Sequence, residues 1–546
     1  MNIPVRRLIT VVIAVVLIAA IGRAALLASG AVSFHSDEAV VALMARHIGQ
    51  GARPVFFYGQ AYMGSLDAWL VAGGFALMGE SVMTIRIVQS ALYLAIVACG
   101  TIAAYRLSRR LGVALAAGLL LALPNTLVAL YTTATLGGYN ETLLIGCLIV
   151  ILGAGAMNRA RAGDPPRVGA YAAIGFLAGV GWWTNGLIVM VVAPVALVLL
   201  ARMVADRRHA GRYLVPIGAA IALFFVGSAP WWTFNLDNEW AALRFYLPGG
   251  TPDSFAGGDV APLPLDQRMI GLFLLGLPAV IGLRYPWASG YLFDPPLAAV
   301  LGFAALVITL SSLYTLVRRG HGLTRDGRAV MLLTLALFAV VFTLSRFSSD
   351  PTGRYFLPLT LVLAITIGAF AVSLPRAVGV TVIGVILALH TIGLVAAIRT
   401  NPPGVTTQFN LDTHLPNDDD AALIAFLTEN GLTRGYANYW IAYRLAFLSG
   451  ETLIYRAALP YKPDMGYTPR DDRYEPYVAA VEVARTQGAS IAFITGGIIP
   501  VRDWLEGWLA GQGITYSRSA VGAYWVYYAF NSTPPAPPQQ FTDRYP

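Results

Sequence analysis

Long apolar runs separated by short polar segments are the dominant pattern along the chain. Each run is about 17–25 residues long, which is enough for a helix to cross a hydrocarbon core of about 30 Å. The pattern therefore predicts a polytopic α-helical membrane protein with about eleven spanning helices. The predicted spans are 8–28, 83–105, 112–132, 141–157, 168–184, 186–203, 213–232, 294–317, 328–346, 354–374 and 377–398.

Clusters of arginine between the runs predict their orientation, because loops rich in arginine stay in the cytoplasm. The clusters are Arg6/Arg7, Arg106/Arg109/Arg110, Arg159/Arg161/Arg167, Arg202/Arg207/Arg208/Arg212 and Arg318/Arg319/Arg325/Arg328. The N-terminus is then cytoplasmic, the first apolar helix is retained in the membrane, and the chain ends outside. Between the first two clusters the chain leaves and returns once, so the short run 64–78, which contains Asp67, is predicted to lie on the outer face. By the same argument, residues 269–283 are predicted not to form a full span.

Composition supports the membrane assignment. Hydrophobic residues make up 57% of the 546 residues and charged residues 12%, with a mean hydropathy of +0.64, whereas soluble domains carry roughly a quarter charged residues. The net charge of +8 comes from arginines in loops between spans, so nucleic acid is not predicted as a partner. Cys99 and Cys147 lie in apolar runs, which argues against a disulfide framework. The excess of arginine over lysine and the alanine-rich spans suggest a GC-rich bacterial genome, and we predict that the protein lies in the inner (plasma) membrane.

The pattern changes after Arg399, where Asn401-Pro402-Pro403 ends the last apolar helix. Short helix-like and strand-like segments follow, typical of a small α/β domain. We predict helices at 418–430, 477–487 and 502–510, and strands at 452–455, 491–495 and 523–530. The predicted domains are a membrane module over 1–400, an extracytoplasmic α/β domain over 401–532, and a disordered Pro-rich tail over 533–546.

Polar residues gather in the predicted outer loops, and polar groups at membrane depth are costly and usually functional. In the first outer loop, Asp37 and Glu38 begin a helical segment at 36–48 with Ser36 as its N-cap. A carboxylate fixed at the membrane boundary can act as a general base on a hydroxyl group. The alternative is that both acids merely complement the helix dipole. The sequence leaves both interpretations open.

Two further outer loops carry candidate residues. Glu141 opens a predicted span after the glycines of TTATLGGYNE, where it is either a ligand-binding acid or a capping acid. Arg354 lies at the predicted outer end of its span, where it can pair with a phosphate or simply reach the interface as a structural arginine. Arg346, Asp350 and Tyr355 flank the same turn.

Five runs in these regions carry a family resemblance. They are SDEAVVALMARHIGQGARPVFFYGQAYMGSLDAWL, MTIRIVQSALYLAIVACGTIAAYRLSRRLG, LGGYNETLLIG, APWWTFNLDN and DPTGRYFLPL. Over about residues 5–375 the chain resembles the GT-C glycosyltransferases, which include protein O-mannosyltransferases, the lipid A aminoarabinose transferase and transferases of the lipopolysaccharide core. In that superfamily an acidic pair follows the first span, and juxtamembrane helices follow the pair.

The resemblance implies transfer of a sugar, with inversion, from a polyprenyl-monophosphate donor to a glycan, lipid or protein acceptor on the extracytoplasmic face. It makes Asp37 the catalytic base and gives Glu38 an orienting or shared role. It makes Arg354 the first choice for the donor phosphate, with Arg53 or Arg346 as substitutes, since the membrane module lacks the lysine that some relatives use. Further substrate-binding candidates are Tyr58, Gln60, Tyr62, Asp67, Tyr139, Glu141 and Tyr355.

Cofactor use is left open by the sequence. Asp37, Asp67 and Glu141 can bind a divalent metal ion if their loops converge, because hard cations need several oxygen ligands. Zinc binding through His35 or His47 lacks the ligand spacing typical of such sites. The chain has no P-loop or dinucleotide fingerprint, in agreement with a lipid-linked donor.

Two alternatives to glycosyl transfer remain at this level. A transporter or lipid flippase is expected to carry polar residues near the middle of interrupted helices, whereas here the polar residues cluster at one face. A scaffold or receptor that binds through its outer domain is the other. In that domain an aromatic cluster fits either carbohydrate stacking or a helix packed on a sheet, and its members are Tyr436, Tyr439, Trp440, Tyr443 and Arg444.

Overall fold

The structure is a computed structural model that describes residues 3–246, 263–288, 290–292, 294, 296–318, 322–400, 405–407, 415–461, 471–497 and 499–538. The chain divides into two compact units. The helical unit consists of Met1–Val32, Arg86–Trp240 and Val260–Thr407, and the mixed unit consists of Ser33–Ile85, Ala241–Asp259 and Gln408–Pro546. The first outer loop (residues 33–67) and the C-terminal segment (residues 408–546) therefore belong to one compact unit. The predicted domain boundaries at residues 400 and 532 stay predictions.

Helices account for most of the described chain. In chain order they are α1 (Ile3–Ala28), α2 (Ser36–Gly49), α3 (Leu66–Met78), α4 (Val82–Ser108), α5 (Leu111–Ala122), α6 (Thr126–Tyr131), α7 (Tyr139–Ala162), α8 (Val168–Thr184), α9 (Val189–Ala205), α10 (Leu214–Gly227), α11 (Ala229–Asp237), α12 (Ala241–Tyr246), α13 (Leu265–Ile270), α14 (Leu277–Ile281), α15 (Pro296–Arg318), α16 (Arg325–Leu344), α17 (Leu359–Ser373), α18 (Arg376–Thr400), α19 (Asp420–Glu429), α20 (Tyr439–Leu448), α21 (Glu475–Thr486) and α22 (Ile499–Gly511).

Eight helices in the described part of the chain are long and apolar enough to cross a membrane, which confirms the polytopic helical class. Eight of the eleven predicted spans coincide with these helices. The remaining three correspond to α5, α8 and α17, which have 12, 17 and 15 residues. The count of eleven requires these shorter helices to cross as well, and it stays a prediction.

Some predicted spans are interrupted in the structure. The predicted helix 112–132 ends at α5, because Pro124 lacks the N–H group that a continuing helix needs. Asn125 then starts α6 by accepting a hydrogen bond from the Val128 backbone N–H at 3.0 Å. The sequence predicts a span that begins at residue 354, but a short 3₁₀ turn at Arg354–Phe356 precedes α17, which begins at Leu359. Residues 269–283 form the short helices α13 and α14 joined by a π-helical turn.

Glycines allow α8 and α10 to pack backbone against backbone. A Cβ atom at Gly175 would lie 2.0 Å from the Ala220 carbonyl oxygen, and one at Gly179 would lie 2.1 Å from that of Phe224. The contact is reciprocal, since a Cβ at Gly227 would lie 2.3 Å from the Phe176 oxygen. Membrane helices associate through such small-residue surfaces, because hydrocarbon supplies little hydrophobic drive between them.

The mixed unit contains the predicted small α/β domain. Its sheet has the strand order β2-β1-β3-β5-β4, with β1 paired in parallel to β2 and β3, and β5 antiparallel to β3 and β4. The core of this domain includes Val481, Phe493, Leu505, Leu509 and Tyr527. The strands are β1 (Arg434–Ala437), β2 (Ile454–Ala457), β3 (Ile491–Thr495), β4 (Ser517–Val521) and β5 (Tyr524–Tyr528).

Three strands and three helices of this domain lie close to their predicted positions, whereas β1 and β4 were missed. The strand β1 has four residues and includes a glycine, so its pattern is too short to stand out. The strand β4 is mostly exposed and lacks an apolar run. Of the Pro-rich tail, residues 539–546 lie outside the described residues.

Candidate active site

The candidate base lies in the first turn of α2. The N-cap of this helix is His35, in an extended conformation, so the prediction of Ser36 as N-cap was wrong by one residue. Asp37 and Glu38 occupy the first turn, where the partial positive charge of the helix N-terminus favours carboxylates. The Asp37 side chain is 29% exposed, while Glu38 is 0% exposed. Of the two acids, Asp37 is therefore the one that solvent reaches.

Asp37 contacts two side chains from the C-terminal segment. The Tyr439 hydroxyl, at the start of α20, donates a hydrogen bond to Asp37 Oδ1 at 2.5 Å. Arg473 Nη2 lies 3.6 Å from the same oxygen. The structure therefore pairs the predicted base with a phenol and a guanidinium.

Arg473 is almost fully buried, with 8% of its side chain exposed. Its guanidinium lies over the rings of Phe57, at 5.2 Å, and Tyr439, at 4.8 Å. Burial alone would lower the pKa of Arg473, but Tyr439, Asp37 and Asp471 raise it above its usual value, so the side chain stays charged. Burial and the Asp37 carboxylate also raise the pKa of Tyr439 well above its usual value, so its hydroxyl keeps its proton.

The sequence prediction missed Arg473. The run DDRYEPY at 471–477 could have indicated this residue, because it combines an arginine with acids and tyrosines. The aromatic cluster around Tyr439 was selected for a similar combination of arginine and aromatic residues. Tyr439 was part of that cluster, but nothing in the sequence linked it to Asp37. Much of the aromatic cluster fits the alternative of a helix packed on a sheet, because Tyr443 and Arg444 are buried. The Tyr443 hydroxyl accepts a hydrogen bond from the Arg473 backbone N–H at 2.5 Å.

Tyr58 belongs to a partly buried polar network rather than to an open surface. Its hydroxyl lies 3.0 Å from His47 Nδ1, and its ring stacks on Tyr474 at 4.5 Å. His47 Nε2 lies 3.0 Å from Glu451, which also accepts a hydrogen bond from Tyr477 at 2.7 Å. Burial alone would raise the pKa of Glu451, but the hydrogen bonds from His47 and Tyr477 lower it to about 2. This His47–Glu451 network ties the first outer loop to the C-terminal segment.

The other candidates in the first outer loop have varied surroundings. Arg53 donates to the Ala52 carbonyl at 2.8 Å and lies over Trp69 at 5.3 Å. Tyr62 stacks on Phe245 with ring centroids 4.1 Å apart. Gln60 is buried, and its Oε1 has no hydrogen-bond partner among the described residues. Asp67 is buried in the first turn of α3.

The candidates of the helical unit form a separate group. Arg354 Nη2 lies 2.5 Å from Asp350, its guanidinium lies over the Tyr355 ring at 5.0 Å, and 37% of its side chain is exposed. Tyr139 begins α7 and meets the Tyr131 ring edge-on at 5.3 Å. A residue that the sequence prediction missed, Arg284, is buried nearby and donates to the Pro351 carbonyl at 2.6 Å.

Two further candidates complete this group. Glu141 is buried in the first turn of α7, directly after the glycines that precede that helix. The side chain of Arg346 lies outside the described residues.

The described residues contain no group of three His, Cys, Asp or Glu side chains that could hold a metal ion. The assignment of a divalent-metal site to Asp37, Asp67 and Glu141 stays a prediction. His47, a zinc candidate, is instead part of the network with Tyr58 and Glu451.

Comparison with known proteins identifies solved structures that share this architecture. No protein-family model and no curated protein matches the chain. Among solved structures, ArnT from Cupriavidus metallidurans in the apo state matches 92% of this chain and 96% of its own, with a TM-score of 0.59 and 14% identity. ArnT bound to undecaprenyl phosphate matches 96% of this chain and 97% of its own, with a TM-score of 0.56 and 13% identity. The chain has the GT-C fold.

A third structure with this fold is an oligosaccharyltransferase. The enzyme from Archaeoglobus fulgidus, in complex with Zn and sulfate, matches 95% of this chain and 72% of its own, with a TM-score of 0.50 and 13% identity. At these identities the likeness establishes the fold alone. It confirms that the GT-C resemblance of the sequence extends to the three-dimensional structure, including the C-terminal segment, which the quoted runs did not cover.

Proposed function

We propose that the protein is a membrane glycosyltransferase that moves a sugar from a polyprenyl-monophosphate donor to an acceptor hydroxyl, with inversion. The observation that carries this proposal is the GT-C fold shared with ArnT, which was crystallised with undecaprenyl phosphate, a polyprenyl monophosphate. A reachable carboxylate at the start of α2 supports the same reaction, because glycosyl transfer to a hydroxyl needs a base.

The donor phosphate is assigned to Arg354, with Arg284 as a second cation. The charge of Asp350 acts on both arginines, so the three side chains together carry one net positive charge. The Nε atoms of Arg284 and Arg354 have no hydrogen-bond partner in the part of the chain that the structure describes. Guanidinium groups bind phosphate through such donors with charge-assisted hydrogen bonds. Tyr355 and Tyr139 are then candidates for contact with the sugar.

The reaction is a single displacement at the anomeric carbon. Asp37 removes the proton of the acceptor hydroxyl. At the same time, the oxygen of that hydroxyl forms the new glycosidic bond to the anomeric carbon. The bond between the anomeric carbon and the phosphate oxygen breaks, and polyprenyl phosphate leaves with the bonding electrons. One displacement inverts the anomeric configuration. Glu38 is assigned a supporting role behind Asp37, because it is fully buried.

Metal chemistry is not part of this proposed mechanism. An oligosaccharyltransferase with this fold was crystallised with Zn, but the described residues of this chain do not bring together three suitable ligands. No step is assigned to a metal ion.

The proposed setting is a bacterial inner membrane, with the N-terminus in the cytoplasm and the C-terminal segment outside. In this orientation the donor lipid and membrane lipids contact the helical unit. The acceptor is a glycan, a lipid or a protein, and its hydroxyl approaches Asp37 from the extracytoplasmic side.

The test is transfer by the purified full-length protein in lipid nanodiscs. A panel of radiolabelled polyprenyl-phosphate sugars is supplied with acceptor-rich membrane extract, and wild type is compared with Asp37→Asn. The matched control is Asp164→Asn, since Asp164 is an exposed acid in the loop after α7. We expect Asp37→Asn to lose about 10²–10⁴-fold in rate, the control to match wild type, and the product to have the inverted configuration.

The outcomes separate the parts of the proposal. Activity that survives in Asp37→Asn refutes the assignment of the base, and a retained configuration refutes single displacement. If wild type transfers no sugar from any donor in the panel, glycosyl transfer itself is refuted. Movement of a labelled lipid across vesicle membranes is then the assay for the flippase alternative.

A further inference from the structure

The contacts of Asp37 with the C-terminal segment suggest that this segment acts on the reaction directly. We propose that Tyr439 and Arg473 are positioning residues, which hold Asp37 ionised and oriented for proton removal. The proposal rests on the proposed function, because it takes Asp37 as the base. It assigns the C-terminal segment a part in catalysis.

The three side chains form a closed set of mutual contacts. Tyr439 donates to Asp37 Oδ1 at 2.5 Å, Arg473 Nη2 lies 3.6 Å from that same oxygen, and the Arg473 guanidinium lies 4.8 Å from the Tyr439 ring centroid. Each partner therefore touches the other two. Two contacts on one carboxylate oxygen restrict rotation of the carboxylate, which is what orientation of a base requires.

Both partners are themselves held in place. Tyr439 is the first residue of α20, whose N-cap Asn438 accepts a hydrogen bond from the Ile441 backbone N–H at 3.2 Å. The backbone N–H of Arg473 donates to the Tyr443 hydroxyl at 2.5 Å. Gly59 packs against Arg473 so closely that a Cβ there would lie 2.9 Å from Arg473 Cγ, at a φ of +70°. The geometry around Asp37 thus depends on packing from two distant parts of the chain.

The burial of Arg473 is costly, and stability alone does not account for it. A buried cation must be compensated by partners, and replacement of a buried ion pair by apolar side chains is often neutral or stabilising. Within the described residues, Nε and Nη1 of Arg473 have no hydrogen-bond partner. The charge is compensated by Asp37, by Asp471 and by the faces of Phe57 and Tyr439. A cation at this position stabilises the negative charge that Asp37 needs in order to accept a proton.

Other ionisable groups lie on the same elements or on neighbouring ones and enter any dependence on pH. Glu38 follows Asp37 on α2, and Asp67 lies on the neighbouring α3. Arg444 on α20 is engaged with Asp420 at 2.9 Å. Tyr62 and Asp471 act on Arg473. Arg473 is the cation on which the expected pH dependence rests, because its Nη2 lies 3.6 Å from Asp37 Oδ1.

The experiment measures kcat/KM against pH for wild type, Arg473→Gln, Arg473→Lys and Tyr439→Phe, with the donor that wild type uses best. Loss of the cation makes Asp37 harder to ionise, so Arg473→Gln should move the acidic limb of the profile upward by about one pH unit. Arg473→Lys keeps the charge and should leave the limb near its wild-type position. Tyr439→Phe should lower kcat by about tenfold through lost orientation, with little change in KM.

The control is Arg518→Gln, because Arg518 is a surface arginine of the same segment, paired with Glu506. It should reproduce the wild-type profile. An acidic limb that stays in place in Arg473→Gln, with kcat near that of wild type, overturns the positioning role. An equal loss in Arg473→Gln and Arg473→Lys at every pH also overturns it, because that result indicates a purely structural residue.

A double-mutant cycle measured by thermal unfolding tests the contact between Asp37 and Arg473 even if activity is low. Asp37→Asn, Arg473→Gln and the double variant should show non-additive changes in midpoint temperature, since residues in contact are coupled. Additive changes overturn the proposed contact. Failure of the proposed function is a different result, namely a folded wild type that transfers no sugar.

Discussion

Glu451 offers a direct measure of how firmly the first outer loop is tied to the C-terminal segment. Its carboxylate meets His47 at 3.0 Å, Tyr477 at 2.7 Å and Arg46 at 3.4 Å. Replacement by Gln keeps the size of the side chain and removes its charge. We expect Glu451→Gln to lower the free energy of unfolding at pH 7 without changing the fold.

The magnitude follows from the pKa of Glu451, which falls from its usual 4.5 to about 2. A shift of that size corresponds to about 3 kcal/mol when each pH unit is worth about 1.4 kcal/mol. The side chain is 20% exposed, so solvent screening reduces the expected loss to about 1–2 kcal/mol. Because the folded pKa is depressed, this stability is fully present above pH 4.5 and is lost as pH falls toward 2.

The assay is thermal unfolding of the purified protein at several pH values. At pH 7 the midpoint of Glu451→Gln should lie about 1–2 °C below that of wild type, from roughly 1 °C per kcal/mol for a chain of 546 residues. The gap should close between pH 4.5 and 2. Glu429→Gln, at an exposed position at the end of α19, should match wild type throughout. A gap that is absent at pH 7, or equally large at pH 2, would refute the reasoning.

Two further predictions concern the helical unit. Gly179→Leu should abolish the folded protein, because its side chain would meet the Phe224 carbonyl oxygen, whereas Gly218→Leu on α10 has open space and should express normally in a detergent-extraction and gel-filtration comparison. Arg354→Gln should raise the KM for the lipid donor by tenfold or more, as expected for the loss of about 1.5–3 kcal/mol from a charged hydrogen bond. The exposed Arg376→Gln should leave KM unchanged, and an unchanged KM in Arg354→Gln would remove it from the phosphate site.

Local patterns account for the part of the fold that the sequence predicts well. Membrane helices are long and apolar, so hydropathy finds them within a few residues. The strand β3 lies at 491–495, as the sequence predicts, because its five residues form a short apolar or β-branched run, and all five are buried in the structure. Breaks at single residues, such as Pro124 before α6, change the length of a helix without changing the average hydropathy around it.

The candidate site was only partly predictable, because its partners are distant in sequence. Asp37 could be selected from its position after the first apolar run, since that position is a local property. Its contact with Tyr439 joins residues 402 positions apart. A pairing of this kind depends on the packing of α2 against α20, and no periodicity in either segment encodes it. Burial of Glu38 likewise follows from tertiary packing.

The interleaving of the two units along the chain has a consequence for biosynthesis. Asp37 leaves the ribosome early, but Tyr439 follows 402 residues later, which at about 5–20 residues per second is roughly 20–80 s. During that interval the ribosome synthesises the membrane helices, and the mixed unit still lacks its C-terminal segment. A chain that is truncated before this segment therefore carries Asp37, the proposed base, without its proposed partners. The proposed active site can therefore form completely only after the C-terminal segment has been translated.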